Sequence, residues 1–254
     1  MKRTFVPLVL AAVLAIAPWW TACDEDDPTG PNDLGGDTNL ELTEVGQEFP
    51  ISIADPTGSS TVLSEIEDSI VIIARDNGIV TVRAVFGFDS AWVRGLEAEL
   101  GMSNLPMSVK RAALTTYIER FGGVLDTTDK AAMTARVDAK LKVTSEGIQE
   151  FVSSGGDVTK PFTIVKYNAN VGDKYEFTNS DGEKITRTVT YKSTTDDYQV
   201  GFWYLKVIKV EETREDPLVE KITYITNHKF GLVGVLLEPK AGNDIRVTVF
   251  PPTL

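Results

Sequence analysis

The stretch "SIVIIARDNGIVTVRAVFG", residues 69–87, sets the character of the chain. Two β-branched runs flank Asp76-Asn77-Gly78. Asn-Gly between alternating apolar residues is the turn chemistry of a two-residue hairpin, because both central positions need positive φ. Asn tolerates that region and Gly enters it without strain. The spacing therefore predicts two antiparallel strands with a tight turn at 77–78.

Toward the C-terminus the same chemistry recurs. "VDAKLKVTSEGIQEFV" predicts a hairpin around Ser145-Glu146-Gly147, and "KPFTIVKYN" a short strand. "DKYEFTNSDGEKITRTVTYKS" places Asp181-Gly182 in a turn and sets Thr186, Thr188 and Thr190 on one face, opposite Ile185, Val189 and Tyr191. "YQVGFWYLKVIKVEE" reads as one long strand, apolar on both faces and so covered on both. "LVEKITYITNH", "FGLVGVLLEP" and "DIRVTVF" complete a run of consecutive strands, whose short connections favour antiparallel neighbours.

Residues 89–136 read differently. "DSAWVRGLEAELG" offers Asp89 or Ser90 as a cap, puts Trp92, Leu96 and Leu100 on one helical face and stops at Gly101. "PMSVKRAALTTYIERFGG" sets Leu114, Tyr117, Ile118 and Phe121 at helical spacing before Gly122-Gly123. "DTTDKAAMTARVDAK" suggests a third short helix. Segregated strands and helices point to an α+β class. The expectation is one domain over 45–254: a large, curved, half-barrel-like antiparallel sheet, with two or three helices from 89–136 packed on it.

The N-terminus carries an address. Lys2 and Arg3 precede an apolar run from Phe5 to Ile16, extended through Ala17-Pro18-Trp19-Trp20, and small residues Thr21 and Ala22 stand before Cys23. This is the order of a secretory signal, too short and too proline-broken to span a bilayer as a helix. Ala22-Cys23 resembles the ending of a bacterial lipoprotein signal, over residues 1–23. The resemblance implies removal of 1–22, a diacylglycerol on the thiol of Cys23 and an acylated N-terminus, enough chains for a stable anchor. Residues 23–44, rich in acids, Gly and Pro, read as a disordered tether. The acids after Cys23 resemble a surface-export signal of Bacteroidetes-like lipoproteins, whereas Asp24 marks inner-membrane retention in enterobacteria. The expected location is the cell envelope, on the periplasmic or surface face.

A formal net charge of −12 disfavours nucleic acid as a partner. Cys23 is the only cysteine and His228 the only histidine, so no two-histidine metal site can form. His228 falls where a turn is expected. No phosphate loop or nucleophile elbow occurs, and no cofactor or metal is called for. Acids cluster at Glu65, Glu67 and Asp68, at Glu97 and Glu99, and at Glu211, Glu212, Glu215 and Asp216. These read as solvated surface, with a glycosidase-like carboxylate pair as the rival.

Tyr224, Asn227, Phe230, Gly231, Leu232 and Val233 weakly resemble a pattern in uncharacterised Bacteroidetes-type lipoproteins, over roughly residues 165–254. That resemblance implies a curved sheet and brings no activity. The functional expectation is a lipid-anchored, extracytoplasmic binding or interaction protein without a catalytic centre. It would take an apolar small molecule or an envelope protein partner. Trp92, Tyr117, Phe121, Trp203 and Tyr204 are the candidate ligand-lining residues. The alternative is an envelope hydrolase using a carboxylate pair.

Overall fold

The computed structural model describes residues 32–54, 69–89, 123–126, 132–179, 182–216, 219–240 and 244–251, with a few isolated positions between 106 and 119. Its strands are β1 (Glu48–Ala54), β2 (Ser69–Asp76), β3 (Ile79–Asp89), β4 (Gly123–Asp126), β5 (Ala132–Thr144), β6 (Gly147–Glu150), β7 (Phe162–Lys166) and β8 (Lys174–Thr178). There follow β9 (Lys184–Lys192), β10 (Tyr198–Val200), β11 (Trp203–Leu205), β12 (Ile208–Thr213), β13 (Val219–Asn227), β14 (Gly231–Pro239) and β15 (Ile245–Val249).

Twelve of these form one antiparallel path in the order β8-β9-β12-β13-β14-β15-β1-β2-β3-β5-β6-β7. Apart from the side strand β4 and the separate β10–β11 hairpin, each strand from β1 to β7 and from β8 to β15 pairs with the next in sequence, and β7 and β8 do not pair. The last strand, β15, pairs back onto the first, in the register Ile51 opposite Val249. This is an up-and-down barrel, nearly closed, whose two free edges β7 and β8 lie side by side.

That architecture overturns the α+β expectation. The third expected helix is strand: β5 alternates Ala135, Val137, Ala139, Leu141 and Val143 inward, all buried, with Arg136, Asp138, Lys140 and Lys142 outward. The two-residue period already expected from Val137 onward extends back to Ala135, and it outweighs the helix-forming alanines. Just before it, Gly123–Asp126 is β4, paired on the edge of β5. Ser108, Val109, Ala112, Thr115 and Glu119 have helical backbone as isolated positions. The remainder of the two earlier expected helices lies outside the described residues.

The hairpin at 69–87 forms as its sequence predicts. Asn77 has φ 49° and Gly78 φ 77°, the left-handed pair of a tight turn. A Cβ on Gly78 would stand 2.5 Å from the Thr38 side chain. Gly78→Ala therefore adds a steric clash to backbone strain, and a loss of about 1–2 kcal/mol is expected in urea titration. An unchanged midpoint would mean that Thr38 does not press on this turn.

Thr38 belongs to a strap that departs from the expected tether. Residues 32–46 run across the turns at one end of the barrel. Ser145 N–H bonds Asp37 C=O at 2.9 Å, Lys142 Nζ donates to Leu34 C=O at 2.9 Å, and Arg75 Nη2 donates to Thr38 C=O at 2.7 Å. Leu34 and Leu40 are buried, Leu40 within the main core. These few leucines and the backbone pairing hold a Gly-rich, acidic segment that composition alone marks as unfolded.

Inside, the inward rows form one core that includes Phe49, Ile70, Val82, Phe162, Ile185, Tyr224 and Leu237. Outside, β5 carries a charged row, and Arg83 of β3 makes a two-point bond to its register partner Asp138 of β5 at 2.7 and 2.6 Å. The apolar interior contrasts with the polar lumen of barrels that span lipid. Among the described residues no helix is long and apolar enough to cross a membrane.

Candidate functional site

Two features stand apart from an ordinary packed barrel: a buried charge cluster at the β7–β8 seam, and an aromatic hairpin outside the wall.

The seam lacks a backbone ladder, so β7 needs other partners for its carbonyls and amides. Side chains supply them. Arg187 of β9 faces inward between Ile185 and Val189 and donates from Nη1 to Thr163 C=O at 3.1 Å and to Phe162 C=O at 3.4 Å. Tyr175 Oη of β8 accepts from Lys166 N–H of β7 at 3.1 Å. Asn32 of the strap accepts from Thr163 N–H of β7 and donates to Glu176 C=O of β8, each at 3.3 Å. Phe162 and Phe177 stack across the gap, with ring centroids 5.1 Å apart.

The same guanidinium neutralises two buried carboxylates. Arg187 Nε donates to Glu212 Oε2 at 2.7 Å and Nη2 to Glu150 Oε1 at 3.0 Å. Tyr224 Oη donates to Glu212 Oε2 at 3.0 Å, and Arg214 pairs with Glu212 Oε1. Ser153 N–H donates to Glu150 Oε2 at 2.9 Å. The Arg187 guanidinium also lies 3.8 Å above the Phe162 ring. Burial by itself would push the Glu212 carboxyl up. The Arg214 and Arg187 charges, with hydrogen bonds from Arg187 and Tyr224, outweigh it and hold the group at about 2.

Glu150 and Glu212 are thus one carboxylate pair that the described fold brings together; Glu211 and Glu238, which share Lys221 on the outer surface, are another. Glycoside hydrolysis needs one acid kept protonated, with access for substrate. Glu212 has the opposite tuning, and Arg187, Glu150 and Glu212 are each within 1% of full burial. The cluster holds the seam and gives the hydrolase alternative no acid. Among the described residues no three His, Cys, Asp or Glu side chains gather as a metal site.

The hairpin corrects the expected single long strand at 198–212. Gly201, at φ 59°, turns the chain between β10 and β11, and β12 begins only at Ile208. Its stem is pinched where Ser193 N–H bonds Val207 C=O at 2.8 Å and Val207 N–H bonds Ser193 Oγ at 2.9 Å. The inner side packs Val200, Leu205 and Val207 on Ile225 of β13 and Val233 of β14, with Tyr198, Phe230 and Phe250 around them. Ile225 and Val233 point away from the barrel core, so this second cluster lies on the outer wall.

The tip is left in solvent. Phe202 is 95% exposed, Tyr204 58% and Trp203 42%. Phe202 and Trp203 meet edge to face, 6.4 Å between centroids. Around the base, Lys209 Nζ lies 5.2 Å from the Tyr191 ring centroid and 5.5 Å from that of Tyr198, and the Arg246 guanidinium lies 6.0 Å from the Tyr198 centroid.

Of the expected lining residues, Trp203 and Tyr204 therefore sit together on this hairpin and not in the barrel interior. Trp92, Tyr117 and Phe121, like Cys23, lie outside the described residues. His228 occupies the exposed β13–β14 turn, where its pKa is lowered by burial first and then by Lys206. The expectations missed Arg187. With Thr186 and Thr188 assigned outward, position 187 had to face inward between Ile185 and Val189. A charge in an apolar row was the available signal. Glu212 carries the same signal, two residues beyond Val210.

An apolar interior, a strapped end and an added outer hairpin define the class: a nearly closed antiparallel β-barrel with an exposed aromatic hairpin. No family model, no curated protein and no solved structure matches the chain.

Proposed function

We propose that the protein is a lipid-anchored, extracytoplasmic interaction protein that works through a surface, the β10–β11 hairpin, and has no catalytic centre of its own. The observation that carries this reading is the 95% exposure of Phe202, with Trp203 and Tyr204 beside it. Large aromatic side chains in water are costly to leave unpaired, and aromatic residues anchor binding sites far more often than their abundance warrants. The signal-like residues 1–23 support the envelope location and the anchor at Cys23. The buried, mutually packed inward side chains favour surface recognition over an apolar small molecule held inside the barrel.

A photoreactive phenylalanine analogue at position 202 tests the proposal in cells. Adducts to an envelope component are expected from position 202 and not from the same analogue at Lys140, on the outer row of β5. Equal labelling from both positions, or none from position 202, would sink it.

A further inference from the structure

We propose that the hairpin docks onto the anionic phosphate headgroups of the bilayer to which the chain is anchored, with Phe202 entering the acyl boundary. This rests on the reading of Cys23 as the lipid attachment point.

Chain length supplies the first argument. Asn32 is fixed to both β7 and β8. It is nine residues from Cys23 (32 − 23). Nine residues reach roughly 30 Å when fully extended. A barrel anchored so closely is kept within reach of the headgroups.

Topology supplies the second. In the up-and-down order, β1 starts and β2, β5, β7, β9, β13 and β15 finish at one end of the barrel. The strap crosses that end, and the β9–β12 connection that bears the hairpin leaves from it. Phe250, the nearest side chain to Gly201 at the tip, bonds Pro50 C=O near the entry of β1. Anchor strap and hairpin thus share an end.

Charge supplies the third. The chain as a whole carries −12 and is repelled by anionic lipid. The neighbourhood of the hairpin has the other sign. Lys206 follows β11 directly, Lys209 and Arg246 flank Tyr198, and Lys229 lies over Phe230, 5.1 Å from its ring centroid. The acids nearest them include Asp196 and Asp197, and Asp197 is engaged by Tyr191 and Ser193; the strap at the same end adds exposed Asp33, Glu41 and Glu44, so the attraction is local to the hairpin. An apolar tip within a cationic collar matches a lipid surface: Trp and Tyr favour the headgroup level, and Lys and Arg favour phosphate.

The test uses the purified full protein in vesicles of phosphatidylethanolamine and phosphatidylglycerol containing brominated lipid, with phosphatidylcholine vesicles as the neutral comparison. The fluorescence lost in Trp203→Phe relative to the parent isolates the Trp203 emission. That emission is expected to be quenched in the anionic vesicles and several-fold less in the neutral ones. Phe202→Ser should lose the quenching while keeping its melting temperature, since the side chain is solvated. Lys206→Glu and Lys209→Glu should each weaken docking by about fivefold or more, the effect of roughly 1 kcal/mol per basic residue near an anionic surface.

Intact mass reads the anchor separately. Acylated protein without Trp203 quenching overturns the docking and keeps the anchor. A protein adduct from position 202 in that case assigns the hairpin to a protein partner. Unacylated protein that still shows quenching keeps the docking and removes the anchor. Unacylated protein without quenching overturns both.

Discussion

Arg187→Met is expected to destabilise the fold by about 3–5 kcal/mol, the largest loss from any single substitution argued for this protein. The side chain is 1% exposed and holds four acceptors: Glu212 Oε2, Glu150 Oε1 and the carbonyls of Phe162 and Thr163. Methionine fills similar volume and restores none of them. Glu150 is left with Ser153, and Glu212 with Arg214 and Tyr224, in a site that water does not reach. The carbonyls of β7 also lose their donor at the one place where the barrel has no ladder. Urea denaturation read by circular dichroism measures the loss. A second variant separates charge from seam. If the cost is chiefly uncompensated charge, Arg187→Met combined with Glu150→Leu should recover much of it, because Glu212 keeps Arg214 and Tyr224 and no buried charge is left over. If the double variant is as unstable as the single one, the carbonyls of β7 are the main debt. A midpoint for Arg187→Met within about 1 kcal/mol of the parent would contradict the role assigned to this arginine.

Turns and alternation made much of the barrel legible in sequence. Asn77-Gly78, Gly147 and Gly182 mark three of its hairpins, and the rows of β5, β9 and β12–β15 follow a two-residue period. The helix expectation for 126–140 failed where alanine-rich composition competed with that period, because burial of one face decides the structure and propensity is only a prior. The strand expected at 198–212 failed for a different reason. A hairpin with one face on the outer wall and its tip in solvent has the same composition as a strand buried on both faces, so hydrophobicity cannot separate them. Gly201, the one residue able to take the turn easily, was the local clue. Closure was not legible at all. It depends on β15 returning to β1, a contact between residues about two hundred positions apart, and on Asn32, Tyr175 and Arg187 standing in for a missing ladder. Nothing local to Asn32 or Tyr175 distinguishes them as bridging groups, and the apolar row around Arg187 marks it as inward without showing what it bridges.

Those bridging groups also set how the protein should respond to acid. Glu212 remains ionised in the fold down to about pH 2, whereas its ordinary value is 4.5. Below pH 4.5 the unfolded chain therefore binds a proton at this residue that the folded chain refuses. Stability from this group is fully present above pH 4.5, and it is lost as pH falls toward 2. The difference corresponds to a loss on the order of 3 kcal/mol across that window. Asp138, Asp157 and Asp197 are lowered as well, through hydrogen bonds from Arg83, Thr159 and Ser193 respectively. These three lie on the outer surface, where 1 M salt shortens the screening length to about 3 Å. Salt should flatten the part of their acid dependence that comes from neighbouring charges such as Arg83, Lys160 and Lys209, and spare that of the buried group. Urea midpoints between pH 5 and 2 in 1 M sodium chloride are accordingly expected to keep a steep slope in the parent. The slope should be clearly shallower in Glu212→Gln, whatever that variant's absolute stability. Equal slopes for the two proteins in high salt would show that Glu212 is not held ionised by Arg187 and Arg214. Failure of the seam under acid then has a stated order: the carboxylate takes up its proton, Arg187 loses its principal partner, and β7 parts from β8 where only side chains join them.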